Sequence, residues 1–113
     1  MDTFMLDDLI GRLDTSGPDS AAFFSADTLS LTIAFRPADS VDPQQPHTED
    51  EVYFVASGRG RIKVADEDIE VAPGSIIFVA AGVEHRFHSI EEDLKLLVFW
   101  SPPRGTNAVA GAT

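Results

Sequence analysis

Residues 45–64 read QPHTEDEVYFVASGRGRIKV, and the alternation inside that stretch decides the architecture. Val52 to Ala56 is a run rich in β-branched and aromatic residues, and it ends at Ser57-Gly58-Arg59-Gly60, which reads as a turn with glycine twice. Beyond it Ile62 and Val64 alternate with Arg61 and Lys63, so a strand resumes with apolar side chains on one face and cations on the other. Asp66-Glu67-Asp68 makes an acidic turn, and Ile69 and Val71 continue the period of two. Pro73-Gly74 turns again before a strand from Ser75 to Val79. Ala80-Ala81-Gly82 separates that strand from two more, His85 to Ser89 and Leu94 to Trp100. Upstream, Leu29, Leu31, Ile33 and Phe35 alternate with Ser30, Thr32 and Ala34, which predicts a strand with one buried face. Ala38 to Pro46 is a loop. Many short strands at close turn spacing predict an all-β sandwich or barrel, and closure also removes exposed strand edges.

The one helical pattern lies at Thr3 to Leu13, where Met5, Leu6, Leu9, Ile10 and Leu13 recur at three- and four-residue steps behind Asp2 or Thr3 as N-cap. Gly17-Pro18 then breaks the chain. The expected organisation is an N-terminal helix and lead-in strand over 1–27, a barrel over 28–101 and a flexible C-terminal tail over 102–113.

A chain of 113 residues can bury a single core without staples. The apolar fraction of 43% and charged fraction of 24% are those of a globular protein, which excludes wholesale disorder. The longest apolar run, Ile76 to Val83, falls short of the roughly 18 residues that a spanning helix needs. The first residues lack the basic region of an export signal, so the cytoplasm is the expected compartment. With no cysteine there is no disulfide framework, thiolate zinc site or cysteine nucleophile. Acids outnumber bases 19 to 8, a net charge of −11 that repels phosphate backbones and anionic lipid, so neither nucleic acid nor membrane is an expected partner.

Chemistry concentrates on few residues. The three histidines stand at positions 47, 85 and 88. If residues 45–51 are extended, even offsets place Gln45, His47 and Glu51 on one face. An imidazole and a carboxylate converging in a barrel mouth make a candidate metal site, which His85 could join from another strand.

The segment Gln45 to Glu51, followed six residues later by Gly58, resembles the first motif of the cupin family, G-x5-H-x-H-x3-4-E-x6-G. Gly74 through Gly82, His85 and Ser89 resembles the second, G-x5-P-x-G-x2-H-x3-N. The resemblance covers roughly Thr28 to Trp100 and implies a double-stranded β-helix, or jelly-roll barrel, holding a divalent metal near one end. Carried over by position, His47 matches the second family histidine, Glu51 the carboxylate ligand and His85 the late histidine. Gln45 replaces the first histidine, and its amide oxygen could coordinate weakly or hydrogen-bond a bound water or substrate. Asp39 and Ala80 replace the first glycine and the proline, and Ser89 replaces the asparagine. Two histidines and one carboxylate with open positions suit Fe(II) and accommodate Mn, Co, Ni or Zn.

Tyr53 and Val55 share the inward side with Glu51, and Phe87 shares it with His85, giving apolar walls for a small-molecule pocket. His88, at an odd offset from His85, faces outward. Leu94, Leu96, Val98 and Trp100 oppose Lys95, Leu97 and Phe99, so the last strand is apolar on both faces, which together with the resemblance implies a homodimer. The expected function is that of a small metal-binding cupin, in enzyme form oxygenase- or isomerase-like. The alternative is a non-catalytic ligand-binding barrel with a degenerate or empty metal site.

Overall fold

The fold is that of a computed structural model, which describes residues 1–43 and 46–106. In chain order it comprises α1 (Leu6–Gly11), β1 (Asp19–Ser25), β2 (Ser30–Arg36), β3 (Asp50–Val64), β4 (Glu67–Val71), β5 (Ile76–Val79) and β6 (His85–Ser101). The strands run in the order β1-β2-β6-β3-β4, with β5 on the remaining edge of β3, and every pairing is antiparallel. Inward side chains from five strands meet in one cluster, among them Ala34 of β2, Tyr53, Val55 and Ile62 of β3, Val71 of β4, Ile77 and Val79 of β5, and Phe87, Leu96 and Trp100 of β6.

Four local expectations are corrected. Ser57-Gly58-Arg59-Gly60 is no turn: β3 runs straight through it, paired with β6, but with register shifts between Val55 and Arg61. The glycines serve a close approach. Gly58 has a φ of 97°, and a Cβ there would overlap the Asp93 carbonyl of β6, while one at Gly60 would lie 3.1 Å from the Ile90 Cα. The bulges change which residues point inward: odd-numbered Glu51, Tyr53 and Val55 are buried before them, even-numbered Gly60 and Ile62 after. Strand β6 makes the matching change, from His85 and Phe87 to Ile90, Leu94, Leu96, Val98 and Trp100. The two strands expected at His85–Ser89 and Leu94–Trp100 are therefore one strand of 17 residues with a bulged middle.

Strand β2 is buried on both faces rather than one. Its small residues Thr32 and Ala34 are buried at 3% exposure each, and Ala34 belongs to the barrel core. Ile33 and Phe35 pack outward against Leu9 and Leu13 at the N-terminus. The helical stripe thus covers the back of this strand. The helix itself is shorter than Thr3–Leu13, with Met5 as N-cap and no side-chain capping bond from Asp2 or Thr3. No helix among the described residues is long and apolar enough to cross a membrane.

Candidate metal centre

Glu51 stands one residue into β3 and His85 opens β6, both pointing into one end of the barrel. His47 precedes β3 and is not in a strand, contrary to the extended reading of residues 45–51. It is placed by backbone bonds instead. Gly82 N–H donates to the His47 carbonyl at 2.6 Å, and Ala81 N–H donates to Asp50 Oδ1 at 2.9 Å. The loop before β3 is so tied to the turn before β6. One ligand atom from each of His47, Glu51 and His85 lies within 4.8 Å of the others, with Glu51 and His85 buried and His47 half-buried. Gln45 lies outside the described residues.

His85 Nδ1–H donates to the Val83 carbonyl at 2.9 Å, which fixes the ring and turns Nε2 inward, protonated in the imidazolium and a lone pair in the neutral form. That nitrogen lies 3.0 Å from Glu51 Oε1 and 3.1 Å from the Tyr53 hydroxyl. The contact with Glu51 is short but not a directed hydrogen bond, and Oε1 has no hydrogen-bond partner among the described residues. Two buried electron-rich atoms facing each other at this distance need a proton or a cation between them. The donor set fits a divalent ion: two imidazole nitrogens and one carboxylate, with a backbone carbonyl orienting one imidazole from behind.

The two imidazoles are tuned in opposite directions. Burial pushes His47 below its ordinary value, aided by the charges of His85 and Arg104 and opposed by Glu51 and Glu49. Burial also acts to lower His85, but Glu51, the Val83 carbonyl and the charge of Asp42 outweigh it and hold His85 above its ordinary value.

Tyr53 and Phe87 form the wall next to His85: the Tyr53 ring centroid is 6.0 Å from that of His85, and Phe87 meets Tyr53 edge-on at 4.9 Å. Val55 is fully buried in the same core cluster. A cleft of about 490 Å³ opens at the rim beside His85, lined by Pro46, Lys63, Ala65, Asp66, Glu84 and Arg86. His88 faces away from the cluster and contacts Asp68 and Ser89.

Sequence reasoning missed four neighbours. Asp42, with a fully buried side chain, accepts the Phe87 N–H at 2.9 Å from a loop that reads as solvent-exposed. Glu49 is buried beside His47 and accepts from Thr48 Oγ1 at 2.7 Å. Trp100 packs edge-on to His47 at 4.8 Å, and Arg104 lies over the Trp100 ring at 5.2 Å. The parity of Trp100 groups it with Leu94, Leu96 and Val98, but both faces of that strand are apolar, so only the structure shows which is inner; the other three lie in loops or a tail, where no period applies.

The departures from the motif also find a reason. Asp39, in place of a glycine, has a φ of 60°, and Ser89, in place of an asparagine, has a φ of 48°. Both positions keep the left-handed backbone that glycine and asparagine favour.

A His-Glu-His cluster with the geometry to hold an ion, in the mouth of an antiparallel jelly-roll barrel, defines the class. The chain matches the Cupin domain family over residues 31–100 and belongs to it. It is 43% identical over 103 residues to an uncharacterized protein of Streptomyces coelicolor, covering 91% of this chain and 98% of that one. It is 30% identical over 92 residues to the acireductone dioxygenase of Exiguobacterium sibiricum; the match takes in 74% of this chain and 51% of that enzyme, about half its length. Among solved structures, the protein TT1209 of Thermus thermophilus superposes with a TM-score of 0.78 at 22% identity, covering 91% of this chain and 99% of that one. The fold is thus the double-stranded β-helix of the cupins.

Proposed function

We propose that this cupin binds one divalent ion through His47, Glu51 and His85 and acts on a small organic molecule at that centre. The observation that carries the reading is Glu51 Oε1, buried, without a hydrogen-bond donor among the described residues, and 3.0 Å from an imidazole nitrogen. A bound Fe, Mn, Co, Ni or Zn ion would supply Lewis acidity to a substrate oxygen, and oxygenase- or isomerase-type reactions both suit it. The chain's own residues orient the site: the Val83 carbonyl holds the His85 ring through Nδ1–H, and Tyr53 brings a hydroxyl to Nε2. The distant likeness to an acireductone dioxygenase supports a small-molecule substrate. Gln45, outside the described residues, either coordinates weakly as a fourth ligand or hydrogen-bonds a bound water or substrate, and Gln45→His is expected to tighten metal binding.

The Tyr53 hydroxyl, 3.1 Å from His85 Nε2, favours a second reading. The two groups lie within hydrogen-bond distance, so the cluster can stand as a hydrogen-bonded polar floor in a non-catalytic ligand-binding barrel. Elemental analysis of tag-free protein purified without chelator separates the two. Near one equivalent of a transition metal per chain supports the metal centre; none, even after anaerobic Fe(II) and Mn(II) addition, supports the ligand-binding barrel.

The dimer expectation has a surface to rest on. Ile76 and Phe78 of β5 are 72% and 60% exposed, and they sit beside Phe54 and Val52, which in turn sit beside Leu97 and Phe99. In a chain of net charge −11, a second copy can approach closely only on an uncharged face such as this one. Light scattering is expected to give twice 12.2 kDa, and Phe78→Glu a monomer.

A further inference from the structure

We infer that Arg104 is a specificity-determining residue of this centre, receiving the distal carboxylate of a substrate whose other end meets the metal; the inference rests on the metal-binding reading. Three observations place it. The Arg104 N–H donates to Ser30 Oγ at 2.9 Å, which pins the chain just beyond β6. The guanidinium lies 5.2 Å over the face of Trp100, and the same indole meets the His47 ring 4.8 Å away in a T-shaped contact. One aromatic ring thus separates a cation from the ligand set.

Among the described residues Arg104, which is exposed, has no carboxylate within ion-pair distance; it shares this with the other cations except Arg36 and Arg61, and what sets it apart is its stack on the indole that abuts His47. Stacking on an indole leaves the edge of a guanidinium open, and that edge carries the N–H fork that fits a planar carboxylate. A divalent ion held by one carboxylate keeps a net positive charge, so metal and guanidinium attract the same dianionic or chelating molecule. The other cations near the rim compete poorly. Lys63 and Arg86 share their cleft with Asp66 and Glu84, so the charges there cancel.

The test uses two probes with one chelating group. Lactate and malate both present an α-hydroxycarboxylate, and malate adds a second carboxylate. Calorimetric titration of metal-loaded wild type is expected to show malate binding about 10- to 100-fold more tightly than lactate, the range of a charge-assisted pair. Arg104→Gln should bring the ratio within about 3-fold without weakening lactate, and Arg104→Lys should retain part of it, as a point charge without the fork. Equal affinities in the wild type, an unchanged ratio in Arg104→Gln, or no binding of either acid overturns the inference. Metal content measured on the same samples separates its failure from that of the metal reading. If wild type holds no metal, the metal reading falls; a malate preference that Arg104→Gln abolishes then still sustains the Arg104 site, and its absence overturns both.

Discussion

Strand β6 carries two histidine–carboxylate pairs three residues apart, and they differ in everything except distance. His85 Nε2 lies 3.0 Å from Glu51 with the two side chains 1% and 2% exposed; His88 Nε2 lies 2.9 Å from Asp68 with 30% and 38% exposed. The outer pair is satisfied on all sides. Asp68 also takes Arg61 Nε at 2.9 Å, and His88 Nδ1 meets Ser89 Oγ at 3.0 Å. The inner pair leaves a buried carboxylate oxygen without a hydrogen-bond partner among the described residues and adds a second imidazole within ligand distance. A short histidine–carboxylate distance is therefore no sign of a site by itself. An incomplete valence shell at a buried oxygen marks a candidate for one.

The sharpest way to break that contrast is to remove its members. His85→Ala is expected to weaken metal binding by more than about 100-fold, beyond the loss usual for groups behind a ligand, while leaving a folded barrel. His88→Ala is expected to leave metal content unchanged. Elemental analysis and circular dichroism of the two variants side by side check this, and equal metal loss in both would dissolve the distinction.

A second test acts on the bulge that lets both strands aim their residues inward. Gly58→Ala sets a methyl group against the Asp93 carbonyl at a φ of 97°, where both overlap and backbone strain oppose it. The expected cost is about 3 kcal/mol, read from chemical denaturation. Gly74→Ala meets nothing within 4 Å and carries only the backbone strain of its φ of 94°, so it is expected to cost less. Equal losses would mean that the close approach at Gly58 is not what the glycine serves.

The same bulge marks the limit of what the sequence disclosed. Alternation along Glu51, Tyr53 and Val55, and along His85 and Phe87, placed these side chains on the inner face because each run is locally regular. Continuity across Gly58 and Ser89 was hidden, since a bulge and a turn draw on the same residues and differ only in what lies opposite. On the last strand alternation groups Trp100 with Leu94, Leu96 and Val98, but with both faces apolar it does not tell which of them is the inner one. Strand β2 misled because its large residues mark the more apolar face, and nothing local shows that the N-terminal stripe covers that face while Thr32 and Ala34 turn inward. Asp42 and Arg104 could not be read at all. Their positions follow from long-range bonds to Phe87 and Ser30, which no period encodes.

The smallest effects concern protons, and they sharpen the contrast through their signs. His85 is held above its ordinary value of 6.5, so in metal-free protein its contribution to stability is complete below pH 6.5 and is lost as pH rises through the folded value. His47 is lowered, so the unfolded chain takes its proton first and stability falls as pH drops below 6.5. Together the two imidazoles predict a stability maximum near pH 6.5 in the metal-free protein, with His85→Ala flattening the alkaline flank and His47→Gln the acid one. Asp68 is lowered as well: burial acts to raise it, but the bonds from Arg61 and His88 prevail. Its contribution is present above its ordinary value of 3.8 and is lost as pH falls through the lower folded value. Asp68→Asn should therefore lower the melting temperature slightly at neutral pH and converge with wild type in strong acid. Metal reverses the inner picture, because the ion competes with protons for His47 and His85 and holds its ligands only as pH rises. Thermal melts across pH with and without metal read all of these at once, and a neutral-range slope that survives both histidine substitutions would place its origin outside the centre.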